Sequence, residues 1–220
     1  MSTAIVAASV RGEKLRFEEE GGTLLKALDG PAEGARILGE SLLVEVESGG
    51  LVPSPALRTL GGRLRRSLQA RWEHPVWVGL APVPGRLAAE GIARARTAVE
   101  VGRIVSPKPR AVVFEDVAAE AALLADRRAC ERLAGILDSV RAHEKRRGGA
   151  LIQTLELFFR CGSVAEAARR LDTHRHTVEY RLDQVESLTG RSVRQSPGRF
   201  DVEAALVAAR LLEGVPARPR

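Results

Sequence analysis

The chain has 220 residues, 45% hydrophobic and 28% charged, a soluble globular balance with length for one or two packed domains. Lys and Arg number 34 against 28 Asp and Glu, so the net charge of +6 permits a nucleic-acid partner without arguing for one. No apolar run reaches the roughly 18 residues of a membrane span, and the two cysteines, Cys130 and Cys161, stand in no metal-ligand spacing.

A disulfide scaffold and a zinc module are thereby set aside, and free thiols in a reducing cytoplasm are expected. The start, Met1-Ser2-Thr3-Ala4-Ile5, lacks the charged region and long apolar stretch of a secretory signal. Ala4-Ile5-Val6-Ala7-Ala8-Ser9-Val10 suits a buried strand, and residues 21–28 read as a helix closed by Asp29-Gly30-Pro31. Residues 35–38 and 42–46 predict two strands about the tight segment Gly39-Glu40-Ser41. Pro55 opens a helix carrying Leu57, Leu60, Leu64 and Leu68, three and four apart on one stripe. Residues 75–80 predict a strand, residues 87–101 a helix, and Ala111-Val112-Val113-Phe114 a last strand. The order β-α-β-β-α-β with an extra α-β predicts an α+β, ferredoxin-like sheet with helices on one face.

From Glu115 onward strand signals stop. Residues 126–147 predict one long helix with Leu133, Ile136, Leu137 and Val140 on one side. Its end, Lys145-Arg146-Arg147-Gly148-Gly149, puts cations in the last turn and glycines beyond it. A solvated, dipole-compensating helix end is the expected role of that run rather than a DNA contact.

Residues 150–213 carry the functional signal. Leu151, Leu155, Phe158 and Phe159 lie on one face of a helix ending near Cys161-Gly162. Ser163 and Glu166 then form a capping box, in which each side chain can satisfy an orphan backbone N–H. The helix it opens buries Val164, Ala167, Ala168 and Leu171, two of them small enough for close helix approach. A tight connection through Asp172 and Thr173 leads to a second helix with Val178, Leu182, Val185 and Leu188 inward. Two helices of unequal length joined this way form a helix-turn-helix, whose second helix can enter a major groove about 12 Å wide. Its first turns read His174-Arg175-His176-Thr177-Val178-Glu179-Tyr180-Arg181. Arg175 can fork onto guanine O6 and N7 or clamp a phosphate, and His176 can donate or accept at a base edge. Thr177 and Arg181 suit phosphate oxygens, while the helix start near His174 favours phosphate through its free N–H groups. Tyr180 is counted with this surface, although packing against a neighbouring helix is its expected role. His174 and His176, two residues apart, point different ways on a helix and find no third ligand, so no metal is expected. Phe200, Val202, Leu206, Ala209 and Leu212 have helical spacing and are expected to close the core.

The stretches Ala150-Leu151-Ile152-Gln153-Thr154-Leu155, Gly162-Ser163-Val164-Ala165-Glu166-Ala167-Ala168-Arg169-Arg170-Leu171, His174-Arg175-His176-Thr177-Val178-Glu179-Tyr180-Arg181-Leu182 and Leu188-Thr189-Gly190 resemble the C-terminal DNA-binding domain of PucR/CdaR-type bacterial transcriptional regulators. The resemblance covers about 65 residues, and the helix-turn-helix is also Fis-like in its Arg-x-Thr-Val pattern. It implies sequence-specific binding of double-stranded DNA by a homodimer or higher oligomer. The family usually has Asn where His176 stands, and a basic or neutral residue where Glu179 stands. Glu179 and Asp183 would repel phosphates from the exposed side, although Glu179 could accept from a cytosine N4.

The same family often places a GGDEF-like domain before the DNA-binding one, and the α+β order resembles it. Active cyclases of that type need carboxylates on the first strand and in a Gly-Gly-Asp/Glu-Glu-Phe turn. Here residues 4–10 contain no acid, and the turn reads Leu38-Gly39-Glu40-Ser41-Leu42. Two-metal chemistry lacks its oxygen ligands, so no enzyme and no cofactor are expected. The expected domains are a degenerate GGDEF-like domain at 1–116, a connecting helix at 117–149, the helix-turn-helix domain at 150–215 and a flexible tail at 216–220. The leading reading is a cytoplasmic transcriptional regulator whose small-molecule effector the sequence leaves open. The alternative is a ligand-sensing or protein-interaction module whose helix-turn-helix is only a scaffold, motivated by Glu179 and Asp183.

Overall fold

Short apolar runs pair into one five-stranded sheet in the computed structural model, which describes residues 2–10, 32–38, 41–46, 54–70, 75–83, 88–106 and 108–214. The strands are β1 (Ser2–Val10), β2 (Ala32–Leu38), β3 (Ser41–Val46), β4 (Val76–Val83) and β5 (Ala111–Val113), in the order β2-β3-β1-β4-β5. β1 pairs antiparallel with β3 on one side, Ser2 opposite Val46, and with β4 on the other, Val10 opposite Val76. A first strand placed between the third and fourth is the arrangement expected of a ferredoxin-like β-α-β-β-α-β chain. β5 then adds to β4 in parallel, Val78 beside Ala111, through the helical crossover that a parallel pair requires. The helix expected at 21–28, the Gly39-Glu40 turn and the tail at 216–220 lie outside the described residues.

Two helices accompany the described sheet, α1 (Ser54–Gln69) and α2 (Ala88–Val105). Leu57, Leu64 and Leu68 of the predicted stripe are buried in α1. Every residue from Val76 to Pro82 of β4 is buried as well, so this strand is covered on both faces. The glycines show which helix covers which face. Gly61 of α1 sits against Leu80 and Ala111, where an added Cβ would press on both. Gly79 of β4 sits against Ala95 and Val99 of α2, and Gly102 of α2 against Val112. Leu80 and Gly79 point to opposite sides of a strand, so α1 and α2 lie on opposite faces rather than on one. The extra α-β unit supplies the second layer, and Trp77, Ala81, Ala95 and Val99 form its core. Arg58 of α1 binds Asp116 through both guanidinium edges, Nε to Oδ2 at 2.8 Å and Nη2 to Oδ1 at 2.5 Å. That pairing holds the Asp116 carboxyl below its usual range.

The chain divides into two units, Met1–Ala122 and Leu123–Arg220. Helix α3 (Ala118–Ala125), which lies within the stretch expected as a connecting helix at 117–149, spans the division. The helix expected over 126–147 is two helices, α4 (Arg127–Ala134) and α5 (Asp138–Arg147), separated by a 3-10 turn at Gly135–Leu137. Asp126 caps α4 by accepting from the Ala129 N–H at 3.0 Å. The second unit continues with α6 (Leu151–Cys161), α7 (Val164–Arg170), α8 (Arg175–Thr189) and α9 (Gly198–Gly214). Leu137 and Val140 share one core with Leu151, Leu155, Phe158, Val178, Leu182, Val185 and Val202. The segment before residue 150 therefore belongs to the packing of the helical unit. Val202 and Leu206 join that core as expected and Ala209 is buried, whereas Leu212 is half-buried and Phe200 is 70% exposed. Phe200 precedes the first buried position of α9, and its ring points outward.

Candidate nucleic-acid interface

The approach of α7 to α8 is set by their smallest residues. Ala167 and Ala168 are buried in α7 and share a core with Val178 and Leu182 of α8. α7 starts at Ser163, whose backbone is extended and whose Oγ accepts from the Glu166 N–H at 3.2 Å. Glu166 directs its own carboxylate to Arg169 and, at 3.2 Å, to Arg170, so the capping box is made from the serine side. The helix stops at a left-handed residue, Asp172 with φ 48°. The Thr173 N–H reaches the Ala168 carbonyl at 3.1 Å and the Asp172 N–H the Arg169 carbonyl at 3.3 Å. These are the two bonds of a Schellman termination, with Asp in the place Gly usually takes.

His174 then caps α8. Its backbone is extended, and its Nδ1 accepts from the His176 N–H at 3.3 Å. The rings of His174 and His176 lie 5.1 Å apart, tilted against each other. Val178, Leu182 and Val185 are fully buried, which turns the opposite face of α8 to solvent. At 100° per residue that open face carries His176, Tyr180 and Asp183 in one row. Tyr180 is 65% exposed, which overturns its expected packing against a neighbouring helix. It lies opposite the buried stripe, where no helix among the described residues covers it.

The charges of α8 are arranged in pairs. Arg175 Nε and His176 Nδ1 each lie 3.0 Å from the Glu179 carboxylate, one on each oxygen. Arg175 first and His176 second hold the Glu179 carboxyl below its usual range. Arg194, from the segment after α8, lies 2.8 Å from Asp183 and 3.1 Å from Glu186. The two acids expected to repel phosphate are thus each engaged by a cation. Glu186 also accepts the Val193 N–H at 2.8 Å, which folds that segment back onto α8. Arg181 is different again: its Nη1 donates to Thr154 Oγ1 at 3.3 Å, and Thr154 is buried. Arg181 therefore ties α8 to α6, where a free phosphate contact was expected. Thr177 is half-buried beside Val178.

Of the six residues singled out by sequence, His174, Arg175, His176 and Tyr180 form a continuous exposed surface at the start of α8. Thr177 flanks it and Arg181 supports it from within. Arg194 was missed, because an ion pair across a turn carries no fixed sequence spacing.

Residues 151–208 match the model of the PucR C-terminal helix-turn-helix domain, and this part of the chain is such a domain. A 104-residue stretch, 47% of the chain, is 32% identical to an uncharacterized protein of Mycobacterium tuberculosis and to one of Mycobacterium bovis. The match spans 24% of the length of those relatives, so the chain corresponds to about a quarter of each. Among solved structures, a regulator of polyketide synthase expression from Bifidobacterium adolescentis aligns over 96% of this chain and 82% of its own. Its sequence identity is 18% and its TM-score 0.37.

Proposed function

We propose that the helical unit is the DNA-reading part of a bacterial transcriptional regulator, with α8 entering the major groove of double-stranded DNA. The observation that carries this reading is the exposed row at the start of α8, set on a helix-turn-helix of the PucR type. Arg175 and His176 present polar atoms to base edges, the Tyr180 ring gives apolar contact for a thymine methyl, and its hydroxyl reaches for phosphate. The positive end of the α8 dipole favours a phosphate oxygen there, while the His176 and Thr177 N–H groups are held by His174. The alternative of a scaffold without DNA binding rested on Glu179 and Asp183, and their engagement by Arg175, His176 and Arg194 supports the DNA reading instead.

One recognition helix covers few base pairs, so the reading includes a homodimer on two half-sites about 34 Å apart. No helix among the described residues is long and apolar enough to cross a membrane. The test is selection of a random duplex library on the purified chain at two salt concentrations. An enriched inverted repeat is expected, with Arg175→Ala weakening binding to it by about 1–3 kcal/mol and relaxing preference at one position. No enriched sequence, or an Arg175→Ala variant that binds the selected duplex as well as the parent, overturns the assignment.

A further inference from the structure

α8 is a poor source of net positive charge. It carries Arg175 and Arg181 against Glu179, Asp183 and Glu186, and Arg194 only balances the remainder. Phosphate attraction supplies essentially all non-specific affinity for DNA and much of the specific affinity. A groove-reading surface of this composition needs cations from another element.

The end of α5 provides them. Lys145, Arg146 and Arg147 are all exposed, and among the described residues none of the three has an ion-pair partner. Their place follows from contacts on either side. Ser139 Oγ of α5 donates to the Leu188 carbonyl of α8 at 2.8 Å, and His143 Nε2 lies 3.0 Å from Gln184 Nε2. Four residues forward on α5 thus match four residues backward on α8, so the helices run antiparallel. One more turn, about 6 Å, brings residues 146 and 147 level with residue 180. They also continue the row of Ser139 and His143, lying three and four residues beyond His143 on the side of α5 that meets α8. Beyond them, Gly148 and Gly149 turn the chain with φ of 71° and 118°. α6 then returns to α8 at Thr154, bonded to Arg181. The basic segment is therefore bracketed by two contacts to the middle of α8, beside the exposed row that includes Tyr180.

We infer that Lys145, Arg146 and Arg147 form a second DNA-contacting surface, which takes the phosphates on one wall of the groove that α8 enters. The inference rests on the reading of α8 given above. It assigns the three cations to affinity and leaves sequence choice to Arg175, His176 and Tyr180.

The experiment compares the full chain with the K145Q/R146Q/R147Q variant on the selected duplex and on a scrambled one, across salt. Three lost phosphate contacts make the slope of log K against log salt less steep by about 2.7. Between 50 and 200 mM salt the parent then loses about 40-fold more affinity than the variant. The ratio between selected and scrambled duplex stays as in the parent, whereas Arg175→Ala lowers it. R146K/R147K, which keeps the charge, retains the parental slope. R128Q/R132Q, which removes exposed charge from α4 at the other end of α5, retains it too. A K145Q/R146Q/R147Q slope equal to the parent's overturns this inference alone and leaves the cations as a solvated helix end. An equal flattening in R128Q/R132Q also overturns it, because net charge rather than this surface is then responsible. A parent that binds no duplex at any salt overturns this inference together with the reading of α8.

Discussion

Along β4 every residue from Val76 to Pro82 is buried, whereas along α8 full burial recurs only at Val178, Leu182 and Val185. The strand is covered by helices on both faces and has no side left for a ligand. α8 holds the unit together with one face and keeps the other clear, so its sequence answers to two demands at once. Packing fixes where α8 sits, and the residues between the packing positions are free to carry chemistry. Substitutions on the two faces should therefore separate stability from binding.

The largest effect is expected from Leu182→Ala, which removes a fully buried side chain from the shared core and should cost about 2–5 kcal/mol. Tyr180→Ala, two residues away and exposed, should stay within about 0.5 kcal/mol of the parent in stability while weakening duplex binding. Equilibrium denaturation of the two variants, followed by helical circular dichroism, decides it. Equal losses in both would mean that Tyr180 packs after all.

In the sheet the corresponding probe is Gly79→Ala. A Cβ there collides with the Ala95 carbonyl and Val99, so overpacking of about 1–3 kcal/mol is expected. Both tryptophans, Trp72 and Trp77, belong to the first unit. Tryptophan fluorescence should therefore report this loss while duplex binding by the helical unit is retained.

Ser163→Ala removes the acceptor for the Glu166 N–H at the start of α7 and should cost about 1 kcal/mol, read by the same helical signal. The smallest effect concerns Glu179. Its folded carboxyl lies below the usual range, so its contacts with Arg175 and His176 are complete above that range. They are lost as pH falls through the lowered value. A carboxyl titration followed by NMR should show Glu179 rising toward the ordinary glutamate value in Arg175→Ala. An unchanged titration would mean that Arg175 is not what holds it.

Local patterns made most of the helical unit legible. The stripe through Leu151, Leu155 and Phe158, the alanines at 167 and 168 and the cap at Ser163 all act within one or two turns. Each appears in the structure where its spacing put it. The expectation that Tyr180 packs on a neighbouring helix failed, because its place midway between the buried Val178 and Leu182 turns it to solvent. The break between α4 and α5 was not legible, because Leu133, Ile136, Leu137 and Val140 keep helical spacing through the 3-10 turn at Gly135–Leu137. The anchoring of Arg181 by Thr154 and of Asp183 by Arg194 depends on segments brought together by tertiary packing. The same holds for the second layer of the sheet, since nothing local says that α2 crosses to the face opposite α1.

The central claim is that the exposed row of α8 reads the major groove, and methylation interference on the selected duplex tests it most directly. Methylation of guanine N7, which lies in the major groove, should block binding of the parent at one position in each half-site, and that block should disappear in Arg175→Ala. Methylation of adenine N3 in the minor groove should leave the parent's binding unchanged at the same half-site. Interference confined to the minor groove, or a guanine block that persists in Arg175→Ala, would contradict the account.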